Sequence, residues 1–139
     1  MKYDLINHFD ENYVDSIYET YQSVSWLKHN KNNIREIFMN STHIVLAIFE
    51  GKVIGFARAM SDGVFNAAIY DVVVNKNYQN KQIDINMLNY LLKEIGTLSC
   101  IHLISTKGNL EFYQKVGFKK LKTGMVIYQD PHLTHTYTE

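Results

Sequence analysis

The sequence has little cysteine, little proline and no excess of either charge. Its single cysteine, Cys100, excludes an internal disulfide framework and is typical of a reducing compartment. Fourteen basic residues balance fourteen acidic ones, so no net field attracts nucleic acid or an anionic membrane. No run approaches the ~20 apolar residues that cross a bilayer, and MKYDLINHFDENY lacks the apolar centre of a signal peptide. We therefore expect a cytoplasmic protein without nucleic-acid or membrane partners.

What the sequence does contain is the patterning of one α+β domain. Its 139 residues are 46% hydrophobic and 20% charged, which suits a single packed core. Apolar periodicity and turn residues predict the order β-α-α-β-β-β-α-β-α-β. The predicted strands cover 2–7, 43–50, 51–59, 65–74, 101–105 and 118–128, and the helices cover 11–24, 30–39, 83–95 and 109–115. We expect one domain over residues 1–130 and a polar, frayed tail at 131–139.

The stretch NYQNKQIDIN, residues 77–86, joins the apolar strand that ends at Val74 to the helix that begins at Ile83. Many α/β proteins hold a phosphate at such a junction, because the helix dipole and free N–H groups attract anions there. Loops of that kind are usually rich in glycine, and this one contains none. The position thus indicates an anion site, while the composition leaves its occupancy open.

Three stretches resemble the GNAT superfamily of acetyltransferases, and the resemblance extends from Tyr13 to Tyr128. They are GKVIGFARAMSDGVFNAAIYDVVVNKNYQNKQID, ISTKGNLEFYQKVGFKK and MVIY. The first is similar to the family's central strand and Gln/Arg-x-x-Gly-x-Gly/Ala loop, the second to its Phe-Tyr-x-x-x-Gly-Phe motif. The Asp-Gly-Val-Phe and Asp-Val-Val-Val patterns further resemble plant amine acetyltransferases of the serotonin and lysine type. The resemblance implies an α/β sandwich with a mixed central sheet flanked by helices.

The resemblance also implies acetyl-CoA as cosubstrate. Its pantetheine arm would add to the strand at Val72 and Val74 through main-chain hydrogen bonds, and its pyrophosphate would lie against the following loop. The N–H of Val72 would polarise the thioester carbonyl as an oxyanion donor. The implied cofactor-binding residues are Val72, Val73, Val74, Gln79, Asn80, Lys81, Gln82, Ile83, Asp84, Asn109 and Tyr113. Asn109 has the alternative of capping its helix.

The loop departs from the family pattern at three positions. Gln82 and Asp84 occupy the sites of the two signature glycines, and Asn80 stands where another glycine is common. Asn80 tolerates left-handed geometry, and the Gln82 amide can point outward or donate to a phosphate. The Asp84 carboxylate would lie in the first helical turn, where it repels a phosphate. Either it turns away and the cofactor binds more weakly, or it fills the anion site itself.

Candidate catalytic and acceptor-binding residues each have a structural alternative. The resemblance makes Tyr113 the acid that protonates the departing thiolate, although an aromatic residue in this context can be core. Ala68 stands where several family members have a glutamate, so Asp71 is the nearest carboxylate to serve as base. Alternatively Asp71 is bonded to a neighbouring backbone group. The predicted acceptor wall is formed by Trp26, Phe56 and Phe65, each of which could be ordinary core.

The resulting prediction is an N-acetyltransferase that needs no metal. A primary amine of a small molecule or a lysine would attack acetyl-CoA directly in a ternary complex. One alternative is a degenerate, non-catalytic binding module in which coenzyme A binding is weakened or lost, and another is an acyl-CoA sensor without transfer. The resemblance also allows a homodimer, since family members often dimerise through sheet edges or C-terminal segments.

Overall fold

The computed structural model describes residues 1–139, which form two compact units, Met1–Ile104 and Ser105–Glu139. The first unit contains β1 (Asp4–Ile6), α1 (Val14–Ser23), α2 (Lys31–Asn40), β2 (His43–Phe49), β3 (Lys52–Ser61), β4 (Asn66–Val74), α3 (Ile83–Ile95) and β5 (Cys100–Leu103). The second contains α4 (Leu110–Lys115) and α5 (Pro131–Tyr137). That residues 1–130 form one domain remains a prediction.

Polar side chains begin the first two helices. The Asp10 carboxylate accepts the N–H of Asn12 at 2.8 Å and opens a 3-10 turn that leads into α1. The Asn30 side chain accepts the N–H of Asn33 at 2.8 Å and begins α2. Such caps satisfy donors that have no partner within the helix. The helix predicted over 30–39 is confirmed within one residue, and the one predicted over 11–24 is a 3-10 turn at Glu11–Tyr13 followed by α1.

The five strands form a mixed sheet in the order β1-β2-β3-β4-β5. The first four are antiparallel neighbours, and β5 pairs parallel to β4. The β2–β3 hairpin turns through Glu50 and Gly51, which adopt φ values of 50° and 77°. A mixed sheet flanked by helices confirms the predicted fold class.

The two parallel strands separate before β4 ends. β5 pairs with β4 only from Asn66 to Ile69, whereas β4 continues to Val74. Residues 70–74 of β4 consequently have no strand partner on the β5 side. This opening in the sheet determines where a ligand can meet the backbone.

Apolar side chains cover both faces of the sheet. On one face, α1 and α2 pack through fully buried residues such as Ile17 and Ile34. On the other face lies α3, whose Met87 approaches β3 so closely that a Cβ at Gly55 would be 3.2 Å from the Met87 methyl carbon. Glycine at position 55 therefore allows close packing between helix and sheet.

Three sequence expectations are wrong in detail. The strand that the pattern predicts at 118–128 is absent, and Met125 and Ile127 in this segment are 96% and 87% exposed. A β pattern becomes a strand only when a neighbouring strand supplies hydrogen bonds. The predicted frayed tail contains α5, because Asp130 caps it and Pro131 suits its first position. The strand predicted as buried at 101–105 is β5, which is exposed or half-buried throughout.

Candidate active site

Main-chain groups of β4 face the opening in the sheet. The N–H of Asn75 donates to the Ile54 carbonyl of β3 at 2.8 Å, and pairing continues through Val73 with Phe56. Because backbone groups alternate in direction along a strand, those of Val72 and Val74 point away from β3. They therefore face the side on which β5 has ended. This is the geometry that an added strand or an extended ligand requires.

One of these groups is already engaged by the loop. The side-chain amide nitrogen of Gln79 donates to the Val74 carbonyl at 3.1 Å. The loop thus folds back on the open edge of β4 and satisfies an acceptor that an extended ligand would otherwise use. An incoming amide donor would have to replace Gln79 at this carbonyl.

The loop adopts left-handed backbone at two positions without glycine. Asn80 and Gln82 both have φ of 64°, and Gln82 is the residue from which α3 begins. Glycine adopts this conformation freely, whereas another residue pays roughly 1–2 kcal/mol, with asparagine among the more tolerant. The loop thus holds two left-handed positions, a conformation for which glycine is usual, with residues that carry side chains.

Asp84 lies within the first turn of α3, and its carboxylate accepts one of the backbone N–H groups of that turn. Its Oδ1 accepts the N–H of Ile85 at 2.8 Å. A carboxylate at this position is favourable for the helix dipole, but it places negative charge where a pyrophosphate would bind. The exposed Lys81 in the same loop supplies a compensating positive charge. The left-handed backbone at Asn80 and Gln82 suits a loop that holds an anion, whereas the charge of Asp84 opposes an anion there.

Asp71 is the centre of a buried polar cluster. Its Oδ2 accepts the Tyr21 hydroxyl at 2.9 Å and the Nε of Arg58 at 2.7 Å. The Asp71 residue is only 8% exposed. The alternative of a carboxylate bonded to neighbouring backbone is wrong, because both hydrogen bonds come from side chains of other elements. Asp71 immediately precedes Val72, so the cluster adjoins the open part of β4.

Aromatic rings cover this cluster and alter two pKa values. Burial, followed by the negative charge and hydrogen bond of Asp71, raises the pKa of Tyr21 far above its ordinary value, so its hydroxyl stays a donor. The His29 ring stacks on Tyr21 with centroids 4.0 Å apart. Burial lowers the pKa of His29 from 6.5, and its Nδ1 is buried without a hydrogen-bond partner. His29 is accordingly neutral near pH 7.

The three predicted acceptor-wall residues have different environments. Trp26 is half-buried and stacks on Tyr21 with centroids 6.0 Å apart, which associates it with the Asp71 cluster. Phe56 is fully buried and packs against Tyr21 and Phe38, so it belongs to the core and cannot line an accessible wall. Phe65 is largely exposed at the β3–β4 turn, where its N–H donates to Asp62. Trp26 is therefore the one partly exposed member of the three whose ring contacts the cluster.

The candidate residues of the second unit lie at α4. The Tyr113 ring packs edge-on against Phe112 and Phe118, with centroids 4.9 and 5.9 Å apart, and is half-buried. Asn109 precedes this helix and does not cap it through its side chain, which instead bonds the Thr106 hydroxyl. The capping alternative for Asn109 is therefore wrong. The catalytic role of Tyr113 stays a prediction.

Tyr21, His29 and Arg58 were absent from the sequence-based site. Tyr21 looks like one more apolar position of α1, and His29 lies in a polar connection. Arg58 carried a usable signal, because it is a cation inside the apolar run VIGFARAM of β3. A buried cation needs a carboxylate partner, and Asp71 on the next strand was the available one.

The structure contains neither a metal-ligating cluster nor a helix that could span a membrane. No three His, Cys, Asp or Glu side chains converge as metal ligands would. None of the helices combines the length and apolar character needed to span a bilayer.

Known proteins resemble this chain in both sequence and fold. The model of the acetyltransferase (GNAT) family matches residues 5–118. An uncharacterized N-acetyltransferase, ycf52 of Pyropia yezoensis, is 32% identical over 119 residues, which are 79% of this chain and 68% of the relative. A GNAT-family acetyltransferase of Streptococcus pneumoniae TIGR4 superposes with a TM-score of 0.77 at 23% identity, covering 93% of this chain and all 100% of that one. The aminoglycoside N-acetyltransferase AAC(6′)-Iy, solved with CoA, gives a TM-score of 0.70 at 13% identity, covering 94% and 95% of the two chains. This chain belongs to the GNAT family of acetyltransferases.

Proposed function

We propose that this protein transfers an acetyl group from acetyl-CoA to a primary amine of a small molecule or a lysine side chain. The observation that carries the proposal is the open side of β4. Val72 and Val74 direct main-chain groups into it, and the loop from Gln79 to Asp84 follows at once. Backbone donors, an unpaired strand and a helix N-terminus are the groups that an acyl-CoA needs.

The cosubstrate would be held by backbone more than by side chains. Val72, Val73 and Val74 would receive the pantetheine arm, and Gln79 would leave the Val74 carbonyl as the arm binds. The pyrophosphate would meet the loop N–H groups from Asn80 to Asp84, assisted by the charge of Lys81, and Asn109 would contact the pantetheine amides. When bound, acetyl-CoA supplies the activated thioester.

The chemical step is direct aminolysis of that thioester. A nitrogen–carbon bond forms as the carbon–sulfur bond breaks, and the Val72 N–H donates to the carbonyl oxygen as negative charge develops. Asp71 accepts the amine proton directly or through water, and Tyr113 gives a proton to the leaving thiolate. Trp26 borders the acceptor. Phe65 stays a proposed acceptor contact at the β3–β4 turn.

A non-catalytic binding module is the competing function. The observation in its favour is the Asp84 carboxylate, which takes the Ile85 N–H and fills part of the anion site with the protein's own charge. An acyl-CoA sensor is a further version, with binding and no transfer. Placement in the cytoplasm and a homodimer stay predictions.

The test is a transfer assay with acetyl-CoA and a panel of primary amines, with products identified by mass spectrometry. The proposal expects acetylated amine and an equal amount of free CoA. Stabilisation by CoA in a thermal melt without any product supports the sensor. Neither stabilisation nor product supports the non-catalytic module and contradicts the proposal.

The role of Tyr113 has its own test. Tyr113→Phe keeps the ring packing and removes the hydroxyl, and we expect CoA affinity to change little. The rate of transfer should fall on the order of tenfold, a modest effect because a thiolate is a good leaving group. Steady-state rates at saturating acetyl-CoA measure this decrease. An unchanged rate removes Tyr113 from the mechanism.

A further inference from the structure

The 119–127 loop is the longest continuously exposed stretch of the chain, and it forms neither helix nor strand. Its large apolar residues, all of them exposed, are Leu121, Met125, Val126 and Ile127. Loops in contact with water consist mostly of glycine, proline and short polar residues. An exposed apolar patch instead marks a surface that meets a partner. The 119–127 loop is therefore a candidate interaction surface.

Aromatic contacts hold this loop at both ends. Before it, the Phe118 ring packs edge-on against the Tyr113 ring, with centroids 5.9 Å apart. After it, the Tyr128 ring lies 6.1 Å from the Tyr137 ring of α5. A loop with fixed ends loses less conformational entropy when it settles on a surface than a free terminus does.

The same part of the chain has a local excess of positive charge. Its four exposed lysines are Lys115, Lys119, Lys120 and Lys122. No acidic residue lies between Glu111 and Asp130, and none of the four lysines belongs to an ion pair within the protein. The balanced charge of the whole chain, which predicts no membrane partner, averages over this excess. Exposed charges farther apart than about 8 Å are largely screened at physiological salt, so a partner at the loop meets the lysines.

Lysines and apolar residues occupy different halves of the loop. The lysines precede Gly124, and the three consecutive apolar residues 125–127 follow it. A membrane that contains anionic lipid matches both halves, because negative headgroups attract the lysines and the acyl chains beneath them receive the apolar side chains. A single-stranded nucleic acid would instead stack its bases on aromatic or arginine side chains, and residues 119–127 include neither.

We propose that the 119–127 loop docks this protein onto membranes that contain anionic lipid. The lysines bind the headgroups, and Met125, Val126 and Ile127 insert at the boundary between headgroups and acyl chains. The contact is peripheral and reversible, because a few lysines and apolar side chains hold a protein far less firmly than a spanning helix does. It uses none of the residues assigned to acetyl-CoA or to the acceptor, so it stands or fails separately from the transfer reaction.

The test is co-sedimentation of the full chain with vesicles of phosphatidylcholine, with and without added phosphatidylserine. We expect binding only to the vesicles that contain phosphatidylserine. The double change Lys119→Glu and Lys120→Glu should weaken this binding by roughly tenfold or more, because each lysine near an anionic surface contributes separately. Lys52→Glu with Lys93→Glu is the matched control, since both lysines are exposed and lie outside the loop. It should leave binding unchanged.

The apolar half is tested by Met125→Ser with Ile127→Ser. This variant should bind phosphatidylserine vesicles more weakly than the natural protein and keep the same sedimentation coefficient in their absence. Both residues are exposed, so the melting temperature should not fall. A sedimentation coefficient that drops in the variant would mean that the loop joins two copies of the chain, which overturns the proposal.

Two further results would also overturn it. One is equal binding, or no binding, to the two kinds of vesicle. The other is full competition by soluble glycerophosphoserine, which carries the headgroup without acyl chains and would show that the lysines bind free phosphate groups. We expect soluble headgroup to leave vesicle binding unchanged, because it offers nothing to Met125 and Ile127.

Discussion

The loop after β4 and the cluster around Asp71 adjoin each other in sequence but are built in opposite ways. The loop is made of consecutive residues, and its functional groups are backbone N–H and carbonyl groups. The cluster is made of side chains, with Tyr21 and Arg58 lying 50 and 13 positions from Asp71. One site therefore depends on backbone conformation, the other on the identity of particular side chains.

This difference decides how each site tolerates substitution. Asn80 and Gln82 hold left-handed backbone in place of glycine, so the loop is conformationally strained at these two residues. The cluster has no such freedom, because removal of any member leaves a buried polar group without its partner. Substitutions in the cluster should accordingly have larger effects than substitutions in the loop.

The largest effect is expected for Asp71→Ala. This change leaves the Arg58 guanidinium, whose side chain is 16% exposed, without its carboxylate. We expect the free energy of unfolding to fall by about 3 kcal/mol, as is usual when one partner of a buried ion pair is lost. Urea denaturation of the natural protein and the variant measures this change in the free energy of unfolding.

Asp15→Ala is the matched control for that change. Asp15 pairs with Lys31 at 2.9 Å, and the two side chains are largely exposed. Its loss should change stability by less than about 0.5 kcal/mol. Equal effects of the two variants would contradict the account of Asp71 as a buried, specific cluster.

A smaller effect of opposite sign is expected at Gln82. Because Gln82 has φ of 64°, Gln82→Gly removes strain and should stabilise the free protein by up to ~1 kcal/mol. Asn80→Gly should give a smaller gain, since asparagine tolerates this conformation. Thermal melts of both variants test the comparison. A lower melting temperature for Gln82→Gly would mean that the left-handed conformation carries no strain there.

The smallest effect concerns the pH dependence of stability through His29. Burial lowers its pKa in the folded protein below the ordinary 6.5, so the unfolded chain binds more protons as the pH falls below that value. The contribution of neutral His29 to stability should be fully present above pH 6.5. It should be lost as the pH falls from 6.5 to the pKa of His29 in the folded protein. His29→Gln should flatten this decline, whereas the exposed His132→Gln should not. Identical pH profiles of stability for the natural protein and His29→Gln would show that His29 does not cause the decline.

The loop could be predicted from the sequence and the cluster could not, for a physical reason. Residues 77–86 follow a buried strand and precede an amphipathic helix, and local patterning alone fixes that position. The bonds of Tyr21 and Arg58 to Asp71 depend on how α1 packs on the sheet and on the β3–β4 register, which includes a bulge between Ala57 and Ala59. The strand predicted at 118–128 is wrong for the same reason, since a strand needs a partner that the sequence pattern does not specify.

We propose that a loop without glycine still holds coenzyme A against the charge of Asp84. Calorimetric titration of CoA into the natural protein and into Asp84→Asn, at matched salt, tests it most directly. Asparagine keeps an acceptor for the Ile85 N–H and removes the charge. Charges ~5 Å apart at an effective dielectric of ~20 repel by about 3 kcal/mol before screening, and solvent reduces this. We predict saturable binding by both proteins, with the variant roughly tenfold tighter. Absence of binding by the natural protein would contradict the claim, and equal affinities would show that Asp84 does not oppose the pyrophosphate.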